Sequence, residues 1–402
     1  MKEYKLLHLA NHIHHNLFND KLVIGGFYNW HRVFYYPNNF VCWDIHTPKK
    51  IKEEKPDFIL IGLSRPENLS MLPDEINRAM QMGKAVIDDP VQIIKSEDRN
   101  QRKVVHHSDG KHYELPQRMQ ELKTLEQVLD SRPITIFHVD YAVQMWKEVD
   151  AFSPGYMKHV LEQCDFLFTS EPIQGHAMYA LLEGRKDIYL IHHPTNIAPL
   201  KKIGLSKKNV KSDIIRTVIH RYDNEWYMPY LVNQAYRSCG YAFPNIFVLL
   251  DGNQNFMTHL KSLGIDHVEF GCQHSDWVER VAETYAGVDS YHWFNNYGRS
   301  PVEFASLNTP LIGSDCTDLQ PILFPELTTP RGHVDEQGEL LIRLVKDKKF
   351  YRECQDYAFD KVENYGYDAS KEKFLKMVNG EMEPYWKAGR YEKYRSVDDS
   401  SE

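Results

Sequence analysis

Asn295-Asn296-Tyr297-Gly298-Arg299-Ser300-Pro301-Val302-Glu303-Phe304-Ala305-Ser306-Leu307-Asn308-Thr309-Pro310-Leu311-Ile312-Gly313-Ser314-Asp315 is the stretch on which the fold is decided. Gly298 lets the backbone turn tightly, and Ser300 before Pro301 reads as a helix N-cap and first helical residue. Glu303 then falls one turn inside the helix, and Leu311-Ile312-Gly313 returns to a short apolar strand. A helix start offers unpaired N–H groups and the positive end of the dipole, which suits a phosphate. A carboxylate one turn further on can accept both hydroxyls of a vicinal diol such as a ribose. Phosphate and ribose together make a nucleotide. The plainer reading of the same residues is a helix and a buried strand of any α/β domain, with Glu303 solvated.

Outward from this stretch the chain alternates strands with helices, the pattern of parallel α/β sheets. Strands are expected at 5–11, 40–45, 58–63, 85–88, 134–139, 166–169 and 188–192, with helices at 75–82 and 156–163. The segment 199–211 holds five lysines and few apolar residues, and reads as a linker. The pattern restarts with strands at 214–220, 245–250, 267–270 and 290–293. Helices are expected at 230–239, 256–263, 277–286, 336–345, 350–365 and 369–379.

The quoted stretch resembles the nucleotide-sugar site of GT-B glycosyltransferases, especially the retaining family-4 type. That family writes Glu-Gly-Phe-Gly, four variable residues, then Glu-Ala-x-Ala-x-Gly-x-Pro. Tyr297-Gly298 matches the Phe-Gly, Glu303 the second Glu and Thr309-Pro310 the end of the motif; Asn295 stands where the family has its first Glu. The order of other landmarks is similar: Glu162–Glu171, Ile188–Pro194, Phe247–Asn253 and Tyr285–Asp289. The resemblance covers most of residues 130–370. It implies a GT-B fold: two Rossmann-like parallel-sheet domains facing a central cleft. The expected division is an acceptor-side domain 1–200, a linker 201–212, a nucleotide-sugar-binding domain 213–365, a C-terminal helix 366–395 packing back on the first domain, and a disordered tail 396–402.

The same resemblance assigns residues. Asn295, Gly298, Ser300, Glu303, Gly252 and Gly271 would line the donor. Arg221 matches the family's strand-Gly-Arg, whose Arg contacts the diphosphate, but Asp223, Asn224 and Glu225 occupy the region of its partner lysine. Arg299 could supply that lost charge through a bidentate phosphate contact, or it pairs with a neighbouring carboxylate. His138 ends a strand where the family places a His near the donor sugar. Asp140 either orients His138, binds acceptor hydroxyls or caps the next helix. Gly25 and Gly26 are candidates for the glycine loop after the first strand.

Composition and absences narrow the classes. At 402 residues the chain suits two domains, and 42% hydrophobic with 26% charged residues describes a globular protein. Six scattered cysteines without C-x-x-C argue for reduced thiols in a cytoplasmic setting, the host's if the protein is viral. Leu6–Ala10 is too short for a signal-peptide core, and no run approaches a membrane span. Dinucleotide and P-loop fingerprints are missing, and so is Asp-x-Asp, so no metal is expected on the diphosphate. The histidines at 12, 14, 15, 106, 107, 192 and 193 have no ligand spacing for a metal. The net charge of −8 gives no global attraction to nucleic acid.

The expected activity is therefore transfer of a sugar from a UDP- or GDP-linked donor, acting as cosubstrate with no permanently bound cofactor. The acceptor is a glycan, a small molecule or, as in the phage-type enzymes of this fold, hydroxymethylated DNA. For DNA, Arg185, Lys186, Lys201, Lys202, Lys207, Lys208 and Lys211 would form a basic rim; otherwise they are a solvated linker. A nucleotide-sugar epimerase of the same fold and a non-catalytic sugar-binding relative are the competing classes.

Overall fold

The structure is a computed structural model that describes residues 4–10, 30, 33–34, 40–42, 47–63, 104–106, 112–114, 134–139, 158, 161–209, 211–219, 234–235, 237, 245–249, 268–270, 274–289 and 299–389. The chain forms two compact units. The first comprises Met1–His15, Trp30–Ile191 and Lys371–Glu402; the second comprises Asn16–Asn29 and His192–Ser370.

The first unit is built on a parallel sheet of six strands: β1 (Leu6–Ala10), β2 (Phe40–Cys42), β3 (Phe58–Leu63), β6 (Ile134–Val139), β7 (Phe166–Thr169) and β8 (Tyr189–Leu190), in the order β2-β1-β3-β6-β7-β8. Ile59, Leu60 and Ile61 are fully buried, as an apolar run with both faces covered requires. Between β3 and β6 lies an antiparallel pair, β4 (Val104–His106) and β5 (His112–Glu114), where no element is expected from the sequence. Helices α1 (Thr47–Glu54) and α2 (Pro172–Leu181) belong to this unit.

The unit is closed by the C-terminal segment. Phe374 inserts among Trp30, Phe34, Phe58 and Phe168, with ring centroids 5.5, 4.8, 5.7 and 6.1 Å away. Further on, Trp386 pairs with Ile188 as an isolated bridge, and its indole donates to His176 Nδ1 at 3.0 Å. The ring lies so close to α2 that a Cβ on Gly175 would come within 2.0 Å of it.

The second unit repeats the architecture with β9 (Ile215–Ile219), β10 (Asn245–Leu249), β11 (Val268–Phe270), β12 (Ala286–Asp289), β13 (Leu311–Ser314) and β14 (Thr328–Thr329), ordered β11-β10-β9-β12-β13-β14 and wholly parallel. Strand order reverses between β9 and β12, and Asp289 at the end of β12 is level with Val218 of β9. In such sheets ligands sit beyond the carboxyl ends of the strands at the reversal. Around the sheet lie α3 (Ile197–Lys207), α4 (His274–Glu283), α5 (Arg299–Ser306), α6 (Gln320–Leu323), α7 (Val334–Lys346) and α8 (Lys348–Lys361). The final helix, α9 (Tyr367–Val378), carries Phe374.

Three expectations are corrected. The supposed linker is helix α3 of the second unit. It buries Ile197, Leu200 and Gly204, leaves Lys202 exposed and lays the largely covered Lys201 against Phe359. Residues 290–293, where a strand is expected, lie outside the described residues; strand β12 begins at Ala286, where the helix 277–286 is expected to end. Its small residues are demanded by a neighbour: a Cβ on Gly287 would come within 2.1 Å of the Phe304 ring. Helix α5 starts at Arg299, so Ser300 and Pro301 lie inside its first turn. The elements expected at 75–82, 85–88 and 256–263, and the tail, lie outside the described residues.

Candidate functional site

Helix α5 connects the carboxyl end of β12 to β13 and is buried along its length except at Arg299. Its far end is fixed three ways. Asn308 takes a left-handed conformation (φ 55°), and Asn308 N–H and Thr309 N–H donate to the Ala305 and Phe304 carbonyls, which is a Schellman stop. The backbone of Leu307 lies against Gly204 of α3, where an added Cβ would come within 2.6 Å. The Lys211 ammonium donates to the carbonyls of Ala282 and Leu307 at 2.6 and 3.3 Å and to Thr309 Oγ1 at 2.6 Å. One cation thus ties the last turns of α4 and α5, the ends where a positive charge is favoured. Burial pushes the Lys211 amine down to about 7.

The near end of α5 carries its charged side chains. Glu303 is only 4% exposed. Its Oε2 accepts the indole N–H of Trp277, from the first turn of α4, at 2.8 Å. Its Oε1 accepts from Arg299 Nη2 and Nε at 3.2 and 3.4 Å. A buried carboxylate needs such donors, and they approach from different places: Trp277 is buried, whereas the Arg299 side chain is 45% exposed. The Arg299 guanidinium therefore rests on Glu303, one turn along its own helix, and does not stand clear as an isolated diphosphate ligand. In the loop after β13, Asp318 keeps a buried Oδ2 without a hydrogen-bond partner, and burial pushes its carboxyl up to about 7.

Other expected site residues are placed as follows. Ser300 is buried in the first turn of α5. His138 lies in β6 one residue from its carboxyl end, paired with Gly62 and Phe168 of the flanking strands. Asp140, Arg221, Asn295, Gly298, Gly252, Gly271, Gly25 and Gly26 lie outside the described residues. Of the residues expected in the basic rim, most meet groups close by. Arg185 pairs with Glu183 and Glu162, and Lys186 donates to the Cys164 carbonyl. Lys201 pairs with Glu363 at 2.6 Å, Lys207 with Glu283 at 2.7 Å and Lys208 with Asp356 at 3.2 Å. Lys202 is exposed, and Lys211 is the buried clamp described above. Sequence reasoning did not single out Trp277, and it named Lys211 only as part of the basic rim. Trp277 precedes Glu303 by 26 positions, a separation that no helical or strand period links.

No protein-family model and no curated protein matches the sequence. Solved structures do. HepE of Anabaena in complex with UDP superposes with a TM-score of 0.59 over 94% of this chain and 100% of that chain, at 11% identity. Sucrose-phosphate synthase of Thermosynechococcus elongatus gives 0.54 over 99% and 100% at 12% identity. A glycosyltransferase of Rickettsia africae gives 0.52 over 94% and 99% at 12% identity. The chain has the GT-B glycosyltransferase fold. At such identities the likeness establishes architecture, and the chemistry has to be argued from the residues of the site. Among the described residues no helix is long and apolar enough to cross a membrane.

Proposed function

We propose that the protein is a glycosyltransferase that moves a sugar from a nucleotide-sugar to an acceptor hydroxyl, with retention of anomeric configuration and without a divalent ion. The observation that carries this reading is Glu303: a buried carboxylate one turn into α5, on the helix that follows β12 at the reversal of the second sheet. Glu303 receives the ribose hydroxyls, and the first turn of α5 receives the diphosphate. HepE has been crystallised with UDP and with UDP-glucose, which supports a donor of the same class.

Arg299 pairs with Glu303 along the helix. When donor arrives, the ribose takes up Glu303 and the guanidinium turns to the diphosphate beside Arg221, so their charge stabilises the leaving group as its bond to the sugar breaks. The departing diphosphate takes the acceptor proton. His138 and Asp140 are the further candidates for catalysis. With Lys201, Lys207 and Lys208 engaged by acidic neighbours and Lys211 buried, a glycan or small-molecule acceptor fits better than duplex DNA, whose binding requires accessible cations.

Incubation with UDP- and GDP-sugars, first alone and then with saccharide acceptors, tests the reading. Free nucleoside diphosphate with glycosylated acceptor is the expected result. Epimerised donor without transfer, or an unchanged donor in every mixture, would overturn it.

A further inference from the structure

We infer that Trp277 is a positioning residue for ribose recognition: its indole N–H fixes the orientation of the Glu303 carboxylate that the ribose diol meets. The inference rests on the proposal that Glu303 is the ribose acceptor.

A glutamate carboxylate turns about its last torsion with broad, roughly two-fold freedom. Two hydroxyls of a ribose are recognised together only if both oxygens are held in the right plane. In this protein one oxygen is fixed from inside. Trp277 is 3% exposed, and its Nε1 lies 2.8 Å from Glu303 Oε2. The indole cannot drift, because it meets the Phe304 ring edge-on, with centroids 5.9 Å apart and planes at 66°. Phe304 in turn occupies the space over Gly287 in β12. The chain of contacts runs from a strand at the reversal point, through two aromatic rings, to the carboxylate.

A purely structural tryptophan would need only a carbonyl for its N–H, and a phenylalanine would fill the same volume without needing one. The partner here is instead a carboxylate oxygen of Glu303, whose other oxygen a second donor, Arg299, reaches from the exposed side. Arg299 can leave for the diphosphate, whereas Trp277 is enclosed and stays. It is the element that keeps the site preorganised in both states.

The test compares UDP, ADP and GDP, each with its 2′,3′-dideoxy counterpart, by calorimetric titration of the full-length protein. Wild type should prefer the ribo form of the nucleotide it binds. Trp277→Phe should weaken that ribo form by about tenfold while leaving the dideoxy form within about twofold, so the preference collapses. Glu303→Gln should lose the same preference, and the double variant should lose no more. Phe304→Leu, which keeps the N–H but removes the ring that the indole meets, should lower the melting temperature and reduce the preference by less than Trp277→Phe does.

A Trp277→Phe protein that keeps the preference, or that weakens both forms equally, overturns the inference and leaves the ribose role of Glu303 standing. A wild type that binds no nucleotide, or binds both forms alike, removes the Glu303 reading and this inference with it. If Trp277→Phe does not fold, ¹⁵N-tryptophan spectra of wild type decide. One indole N–H resonance should move with the ribo nucleotide but not the dideoxy form, and should be displaced in Glu303→Gln; absence of such a resonance overturns the inference.

Discussion

Both units close a six-stranded, all-parallel sheet, yet they invest their buried side chains differently. The first unit is sealed by rings: Phe374 and Trp386, brought back from the C-terminal segment, pack on residues more than 180 positions earlier. The second unit surrounds one short helix with polar devices. A buried lysine and a Schellman stop hold the rear of α5, and an indole and a guanidinium hold the carboxylate at its front. Aromatic burial is worth a great deal of stability and needs no partner. A buried carboxylate is costly unless donors are supplied for it. That the second unit supplies them at the carboxyl end of its sheet separates a scaffold from a site.

The comparison can be broken most forcefully in the first unit. Phe374→Ala removes the ring at the centre of the aromatic cluster and should cost about 3–5 kcal/mol by thermal or denaturant unfolding. Nucleotide affinity of the folded fraction should hardly change. A large loss of affinity at temperatures where the variant is folded would mean that the aromatic closure also serves the site.

Gly204→Ala acts in the second unit. In an exposed helix that change stabilises by up to about 1 kcal/mol. Here the new Cβ meets the Leu307 backbone, which cannot swing away as a side chain could. The expected result is a loss of about 1–3 kcal/mol, together with weaker nucleotide binding, because α5 is displaced. Calorimetry with and without nucleotide checks both parts.

Lys211 sharpens the same contrast through pH. Its folded value of about 7 lies below the ordinary 10.5, so between these values the unfolded chain holds more protons than the folded one. Unfolding free energy should therefore gain a rising contribution from pH 7 to 10.5, complete above that range and lost as pH falls through 7. Lys211→Met should remove this slope; parallel curves for variant and wild type would show that the amine does not titrate there. Smallest of all, Lys208→Ala removes an exposed pair with Asp356 and should shift stability by less than about 0.5 kcal/mol.

Much of the fold is legible in local sequence because buried parallel strands are apolar runs. The strands at 58–63, 134–139 and 166–169 are found where the sequence places them. What escaped depends on partners. Ala286-Gly287 reads as the end of a helix because the reason for its small side chains, the Phe304 ring, lies elsewhere in the chain. Helix α3 is hidden by lysines whose partners are Glu363, Glu283 and Asp356. At the site, the spacing from Gly298 to Pro310 points to Glu303 and to the helix that carries it. It cannot show that Arg299 turns back onto that carboxylate, or that Trp277 reaches it from α4, since both depend on side-chain directions set by tertiary packing.

The central claim, a nucleotide held through Glu303, is tested most directly by titrating UDP, ADP and GDP into wild type and Glu303→Gln with calorimetry, alongside their melting curves. A charged hydrogen-bond partner is lost while shape is kept, so affinity for the bound nucleotide should fall by roughly 1.5–3 kcal/mol, with the fold intact. Equal affinity in the two proteins, or a wild type that binds none of the three, would contradict the account.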